Sequence, residues 1–359
     1  SFILKGKFNF MSDKKTTYRE HTDMENTLKL RQVLATLPPF CKDYFRAIDT
    51  TTTAKTRISY AYDIRIFFQF LLDENPAFKD HAMTDFTVDV LDQIKAVDLE
   101  EYQEYLKLYQ SGDKTETNGE RGLKRKISAL RSFYAYYYKR EMIHTNPTVL
   151  IDVPKIHEKS IIRLDTDEVA MLLDYIEHCG DTLTGQKRVF YEKTKERDLA
   201  IVTLRLGTGI RVSECVGLDI EDVDFKNNGI KVTRKGGNEM VVYFGPEVEK
   251  ALKRYLEVRE GITPLAGHEH ALFYSAQRKR MGVQAVENMV KKYSKLVTTL
   301  KHITPHKLRS TYGTSLYRET GDIYLVADVL GHKDVNTTRK HYAALEDERR
   351  RSAAKYVKL

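Results

Sequence analysis

Thr304-Pro305-His306-Lys307-Leu308-Arg309 is the stretch on which the reading of this chain turns. Proline at 305 suits the first turn of a helix, where its missing N–H has no intrahelical partner in any case. On a helix, residues three apart share a face, so His306 and Arg309 can address one point. Downstream come Leu330-Gly331-His332, then Thr337-Thr338, and, ten residues after His332, Tyr342. Upstream lie Thr208-Gly209-Ile210-Arg211-Val212-Ser213-Glu214 and Thr233-Arg234-Lys235-Gly236-Gly237. Between them, these segments offer two arginines, two histidines, a lysine and a tyrosine to a single phosphodiester.

Phosphoryl transfer leaves charge on the oxygens around phosphorus, and a catalyst chiefly needs fixed positive donors there. Arginine fits, because its planar fork stays charged and can bond two oxygens at once. Taken singly, each of these residues has an ordinary reading: a surface arginine, a bonded core histidine, a solvated lysine. Tyr342 is one of 22 tyrosines, so residue type alone says nothing of it. A tyrosine with an unperturbed pKa of about 10 also needs proton removal and a cationic pocket before it can attack.

The ordered set resembles the tyrosine recombinase family of site-specific DNA strand-exchange enzymes, over roughly residues 50 to 345. Thr-Gly-Ile-Arg-Val-Ser-Glu is similar to the family's first arginine segment, and His-Lys-Leu-Arg to its His-x-x-Arg helix. The resemblance implies that Arg211 and Arg309 clamp the non-bridging oxygens and that His306 bonds the phosphate and receives the tyrosine's proton. It further implies that His332 donates to a non-bridging oxygen, Lys235 protonates the departing 5′ oxygen, and Tyr342 is the nucleophile. Glu214 matches the family's acidic residue near the first arginine, an orienting role that competes with plain helix stabilisation. Arg234 is set aside as general acid, since alternation sends adjacent strand residues to opposite faces. Ser310 stands where the family often has a further histidine, which removes that ring. No metal or other cofactor is implied, and His268-Glu269-His270 reads as a solvated loop.

The family fold is mainly α: a helical core-binding (SAM-like) N-terminal domain, then a mixed, mostly helical catalytic domain with a small antiparallel β-sheet. The residues divide accordingly into a partly helical N-terminal extension at 1–49, a DNA-binding domain at 50–151, a linker at 152–162 and a catalytic domain at 163–345. The tail at 346–359 is expected to contact a neighbouring protomer. Residues 1–10, ahead of Met11, differ in character from the polar stretch that follows. Apolar Ile64, Phe67, Phe68 and Leu71 predict a helix over Thr53–Asp73 that Asn75-Pro76 ends. A second helix is expected over Asp98–Tyr109, a flexible connection over Ser111–Gly119, and a third helix over Glu120–Arg140 with Leu123, Ile127, Leu130, Tyr134 and Tyr137 as its stripe. That stripe leaves Lys124, Arg125, Lys126 and Arg131 to solvent or phosphate, and with Lys55 and Arg57 they are the candidate DNA contacts. Ile230–Arg234 and Met240–Phe244 flank turn residues and predict a β-hairpin.

A net charge of +8, from 59 basic against 51 acidic residues, must be concentrated to bind a polyanion, and Gly122 to Arg140 holds six basic residues and no acidic one. Three widely spaced cysteines argue for a reducing compartment, and no apolar run is long enough for a membrane span, so a cytoplasmic location without a membrane is expected. The expected partners are double-stranded DNA and three further copies of the chain, a homotetramer on two sites, with any accessory protein unknown. The look is that of Xer-type recombinases of Gram-positive bacteria, which resolve chromosome dimers through a 3′-phosphotyrosyl intermediate and a Holliday junction. An integrase or excisionase of a phage or conjugative element is the alternative. A type IB topoisomerase, or a non-catalytic DNA-binding relative, is the alternative of another class.

Overall fold

Helical spacing of apolar residues along most of the chain yields helices almost throughout. The computed structural model describes residues 17–157, 162–234, 237–298 and 301–332, with 335 and 338. The chain divides into two compact units, Ser1–Glu158 and Lys159–Leu359, a division that falls within the stretch 152–162. No helix among the described residues is long and apolar enough to cross a membrane.

The first unit contains α1 (Tyr18–Leu34), α2 (Cys41–Ala47), α3 (Ala54–Glu74), α4 (Val90–Gln93) and α5 (Ala96–Tyr105), then strands β1 (Leu108–Ser111) and β2 (Lys114–Thr117), and α6 (Glu120–Lys139). The Thr53 hydroxyl starts α3 by accepting from the Thr56 N–H at 3.2 Å. Ile64, Phe67, Phe68 and Leu71 are completely buried. At about 1.5–3 kcal/mol for each such side chain, this burial outweighs any cap as the source of the helix's stability. The α6 stripe Leu123, Ile127, Leu130, Tyr134 and Tyr137 is likewise buried.

Four expectations are corrected here. The described part of the expected extension, from 17 to 49, does not stand apart: Leu30, Val33, Leu37, Cys41, Tyr44 and Phe45 belong to one core with α3 and α6. The Tyr137 hydroxyl donates to the Phe40 carbonyl at 2.8 Å, and that of Tyr44 to the Ser132 hydroxyl at 2.9 Å. The second helix stops at Tyr105, because Tyr109 lies in β1 and stacks on the Tyr105 ring with centroids 5.3 Å apart. Ser111–Gly119 is largely hairpin: Ser111 pairs with Lys114 across a two-residue turn in which Gly112 takes φ +60°. Glycine enters that left-handed region without Cβ strain, so the polar composition marked a turn and not a slack linker.

The fourth correction concerns the basic face of α6. Lys126 is 6% exposed, with its ammonium 2.7 Å from the Asn118 Oδ1 and 4.0 Å from an Asp63 oxygen. Arg125 pairs with Asp63, and Arg131 donates to the carbonyls of Thr148 at 3.0 Å and Ile151 at 2.8 Å. Residue 126 shares its face with Leu130 and Phe133, so it flanks the apolar stripe and meets α3 instead of water. Lys124 is exposed.

The second unit holds α7 (Thr166–His178), α8 (Gly185–Thr208), α9 (Val212–Gly217), strands β3 (Val223–Asp224), β4 (Gly229–Thr233) and β5 (Glu239–Tyr243), then α10 (Pro246–Glu260), α11 (Val283–Val297), α12 (Pro305–Thr320) and α13 (Ile323–Leu330). Leu199, Ala200, Ile201, Val202 and Leu204 are all buried, so the C-terminal half of α8 is enclosed on every side and runs through the core, with the buried charges of Arg197, Asp198 and Arg205 beside them. The three strands form one antiparallel sheet in the order β3-β4-β5, with Ile230 opposite Val242 and Val232 opposite Met240.

Burial pushes the Asp63 carboxyl up to about 6, and the charges of Arg125 and Lys126 only partly oppose the shift. A folded-state value above the ordinary 3.8 means that the folded unit holds more protons between about pH 4 and 6, so the contribution of Asp63 to stability falls as pH rises through that window. Melting temperatures of wild type and Asp63→Asn across this range should therefore show wild type losing ground to the variant as pH rises. A wild-type advantage that grows instead would place Asp63 among the acid-shifted carboxylates.

Candidate active site

A helix leaves its last carbonyls without intrahelical partners. At the end of α13 those groups meet arginine. Asp322 starts the helix by accepting from the N–H groups of Tyr324 at 2.8 Å and Leu325 at 3.1 Å, and Gly331 ends it at φ +61°. The Val329 carbonyl accepts from Arg234 Nη2 at 2.6 Å, the Leu330 carbonyl from Arg309 Nη2, and the Gly331 carbonyl from Arg211 Nη2 at 3.3 Å. Three consecutive acceptors thus gather guanidinium groups from the turn after β4, from α12 and from the start of α9. Cations are favoured at a helix C-terminus, where the peptide dipoles leave partial negative charge.

His332 follows at once. Its N–H donates to the Ala327 carbonyl at 2.9 Å, and its Nδ1 lies 2.6 Å from the Thr338 hydroxyl, which sets the ring's orientation. Arg309 is 5% exposed and also donates to the Gly209 carbonyl at 2.6 Å. Gly209 ends α8 at φ +65°, and a Cβ there would strike the Tyr312 ring and Leu330. Glycine at this position lets the carbonyl approach Arg309 while the chain reverses toward Arg211.

Glu214 supplies the counter-charge. Only 7% exposed, it accepts from Arg211 Nη1 at 2.7 Å and, with its other oxygen, from the Arg211 N–H at 2.7 Å. One carboxylate therefore both starts α9 and orients the guanidinium. Arg205 is 1% exposed in α8 and donates to the carbonyl of Pro305, next to His306. Burial pulls the Arg205 pKa below its usual value, and the charge of Glu214 is among those that oppose the shift. For Arg234 burial is again the chief lowering cause, with Glu214 raising the value and Arg211 lowering it.

Of the residues read as catalytic, Arg211, Arg309 and His332 meet at the α13 terminus, with Glu214 behind Arg211. His306 is exposed on the first turn of α12, one turn before Arg309. Lys235 and Tyr342 lie outside the described residues, as does the tail at 346–359. Lys55 is exposed on α3 in the other unit, while Arg57 is ion-paired with Asp49. Sequence reasoning missed Arg234 and Arg205. Alternation misplaced Arg234 because β4 ends at Thr233: Arg234 belongs to the turn, with its N–H donating to the Asn238 carbonyl at 2.8 Å and its carbonyl accepting from the Gly237 N–H at 2.9 Å. For Arg205 there was a signal, a charge standing alone in Ile201-Val202-Thr203-Leu204-Arg205-Leu206.

The phage integrase family matches residues 162–349, more than half of the chain. Tyrosine recombinase XerS of Lactococcus lactis subsp. cremoris is 30% identical over 350 residues, which span 91% of this chain and 97% of that protein. Tyrosine recombinase XerC of Caldanaerobacter subterraneus subsp. tengcongensis is 33% identical over 88% of this chain and 86% of its own length. Among solved structures, XerH site-specific recombinase bound to a palindromic difH substrate in a post-cleavage complex superposes with a TM-score of 0.62 at 21% identity, covering 85% of this chain and 80% of that one.

The double role of Glu214 sets an expectation. Glu214→Ala removes two hydrogen bonds and should cost on the order of 1 kcal/mol in stability for each. Glu214→Gln keeps an acceptor for the Arg211 N–H and should melt closer to wild type. Equal melting of all three proteins would show that the carboxylate contributes nothing to holding α9.

Proposed function

Since the chain belongs to the phage integrase family and is a tyrosine-type site-specific recombinase, we propose that it resolves chromosome dimers in the Xer manner, cutting and rejoining duplex DNA as a homotetramer on two sites. The observation that carries the site's part of this reading is the convergence of Arg211 and Arg309 on neighbouring carbonyls immediately before His332. The likeness to XerS and XerC along most of the chain supports the biological role.

In this reading, Arg211 and Arg309 clamp the non-bridging oxygens of the scissile phosphate, and His332 donates to one of them. The Tyr342 oxygen attacks phosphorus as its proton passes to His306. The bond from phosphorus to the 5′ oxygen breaks, and Lys235 gives that oxygen a proton. The products are a 3′-phosphotyrosyl bond and a free 5′ hydroxyl. The covalent bond keeps the energy of the broken link, so a 5′ hydroxyl from the second duplex can reverse the step without ATP. Two such exchanges form and resolve a Holliday junction. Tyr342→Phe removes only the nucleophilic oxygen and should bind duplex normally while forming no adduct that survives denaturing electrophoresis. An adduct from that variant would sink the assignment, and genomic footprints at the ends of a mobile element would replace chromosome dimer resolution with integration.

The first unit is the proposed duplex grip, and among the α6 residues read as DNA contacts Lys124 is the exposed one without a structural bond of its own. Lys124→Ala should weaken specific and random duplex alike and reduce the salt dependence of affinity, by roughly 0.9 in the log–log slope for each lost phosphate contact. Lys126→Ala should instead lower the melting temperature, because it strips a partner from buried Asp63 and from half-buried Asn118. The reverse pattern would mean that α6 reorganises to put Lys126 on DNA.

A further inference from the structure

Arg205 is more deeply buried than any other charged side chain among the described residues, 1% exposed in the enclosed half of α8. Its Nη2 donates to the Pro305 carbonyl at the start of α12, while Nε and Nη1 find no hydrogen-bond partner among the described residues. Burial disfavours the charge and pulls the Arg205 pKa down, and the charge of Glu214 offsets only part of that shift. The first turn of a helix also leaves partial positive charge, which repels a cation. An apolar side chain of similar length would fill this place in the core at less cost to folding. The bond itself falls at the base of the turn that carries His306 and Arg309. In an α-helix the N–H of residue 309 donates to the carbonyl of residue 305, so Arg205 grips the carbonyl on which that turn closes. Arg309 has anchors of its own in the Gly209 and Leu330 carbonyls. His306 is exposed on the first turn, which receives no side-chain cap from Thr304.

We infer that Arg205 is a positioning residue for DNA cleavage: by holding the Pro305 carbonyl from inside the core, it fixes the base of the His306 side chain. This rests on the reading of His306 as the group that receives the tyrosine's proton. A peptide unit is planar, so the Pro305 carbonyl and the nitrogen and Cα of His306 move as one plate. Fixing the oxygen therefore fixes where the imidazole leaves the backbone. The first turn of a helix frays, because its N–H groups have no intrahelical partners. A proton acceptor has to stand within about 2.6–3.2 Å of the atom that gives the proton, a tolerance that a fraying turn does not keep. A guanidinium rooted in the middle of α8 supplies the fixed point, and the stability that its burial sacrifices is returned as a located histidine.

The test uses the full-length protein and a nicked suicide duplex carrying the sequence that the protein itself selects from a random duplex pool. Single-turnover cleavage is followed well below the melting temperature of every variant. Arg205→Met keeps the packing and removes the charge and the bond. It should cut on the order of 10- to 100-fold more slowly, the scale of a small misplacement. It should also bind duplex with unchanged affinity and melt at or above the wild-type temperature. A residue that serves folding alone would give a lower melting temperature with the cleavage rate unchanged, and that result overturns the inference. Arg205→Lys, which keeps one donor for the Pro305 carbonyl, should recover part of the loss and carries the same comparison should methionine prevent folding. His306→Ala supplies a second background, in which adding Arg205→Met should slow cleavage no further, because the two residues act as one. Equal slowing in both backgrounds would mean that Arg205 acts apart from His306 and would overturn the inference. The single variant His306→Ala separates the two claims. If it cuts at the wild-type rate, the proton-acceptor reading fails and this one with it; if it is slow and the effect of Arg205→Met adds to it in full, only the positioning role is lost.

Discussion

The carbonyl groups at the C-terminus of α13 are the constraint around which the site is built. They are unsatisfied by the nature of a helix, and three guanidinium groups from three separate elements satisfy them. Positive side chains held this close would repel one another in the open. The dipole of the helix end and the buried carboxylate of Glu214 oppose that repulsion, and Asp328 adds to the opposing charge at Arg234.

Arginine in these roles is both scaffold and tool. Arg309 spends two nitrogens on the carbonyls of Gly209 and Leu330, and its planar fork then fixes where its remaining donors stand. Arg205 extends the arrangement inward by bonding the carbonyl beside His306. The backbone at both histidines is thus located by arginines, and the geometry of the pocket is written largely in side chain to main chain bonds.

Such bonds explain what the sequence could and could not disclose. Arg211, Glu214, Arg309 and His332 stood out because they sit in short segments whose order resembles a known family. Arg234 sits in a further such segment and Arg205 three residues ahead of Thr208, but both act through carbonyls distant in the chain, and no local pattern names a carbonyl partner. The long helices were legible because a period near 3.6 shows in Ile64, Phe67, Phe68 and Leu71 or in Leu123, Ile127 and Leu130. The β1–β2 hairpin was not, since its strands are four residues each and almost wholly exposed, without an apolar alternation to read. Lys126 defeated the reading for a related reason: its partner Asp63 lies 63 positions earlier on another helix. The first core closed over α2 through tyrosine hydroxyls and rings that composition alone does not distinguish from surface tyrosines.

The helix α13 that carries this burden is eight residues long, and among the described residues Val326 and Leu330 pack with Tyr317 in a small patch, with Tyr312, Leu316 and Ile323 at the edge. A satellite cluster of that size can open locally at a free-energy cost well below that of unfolding the whole unit. Warming would then disperse the arginine fan while the larger cores stayed intact.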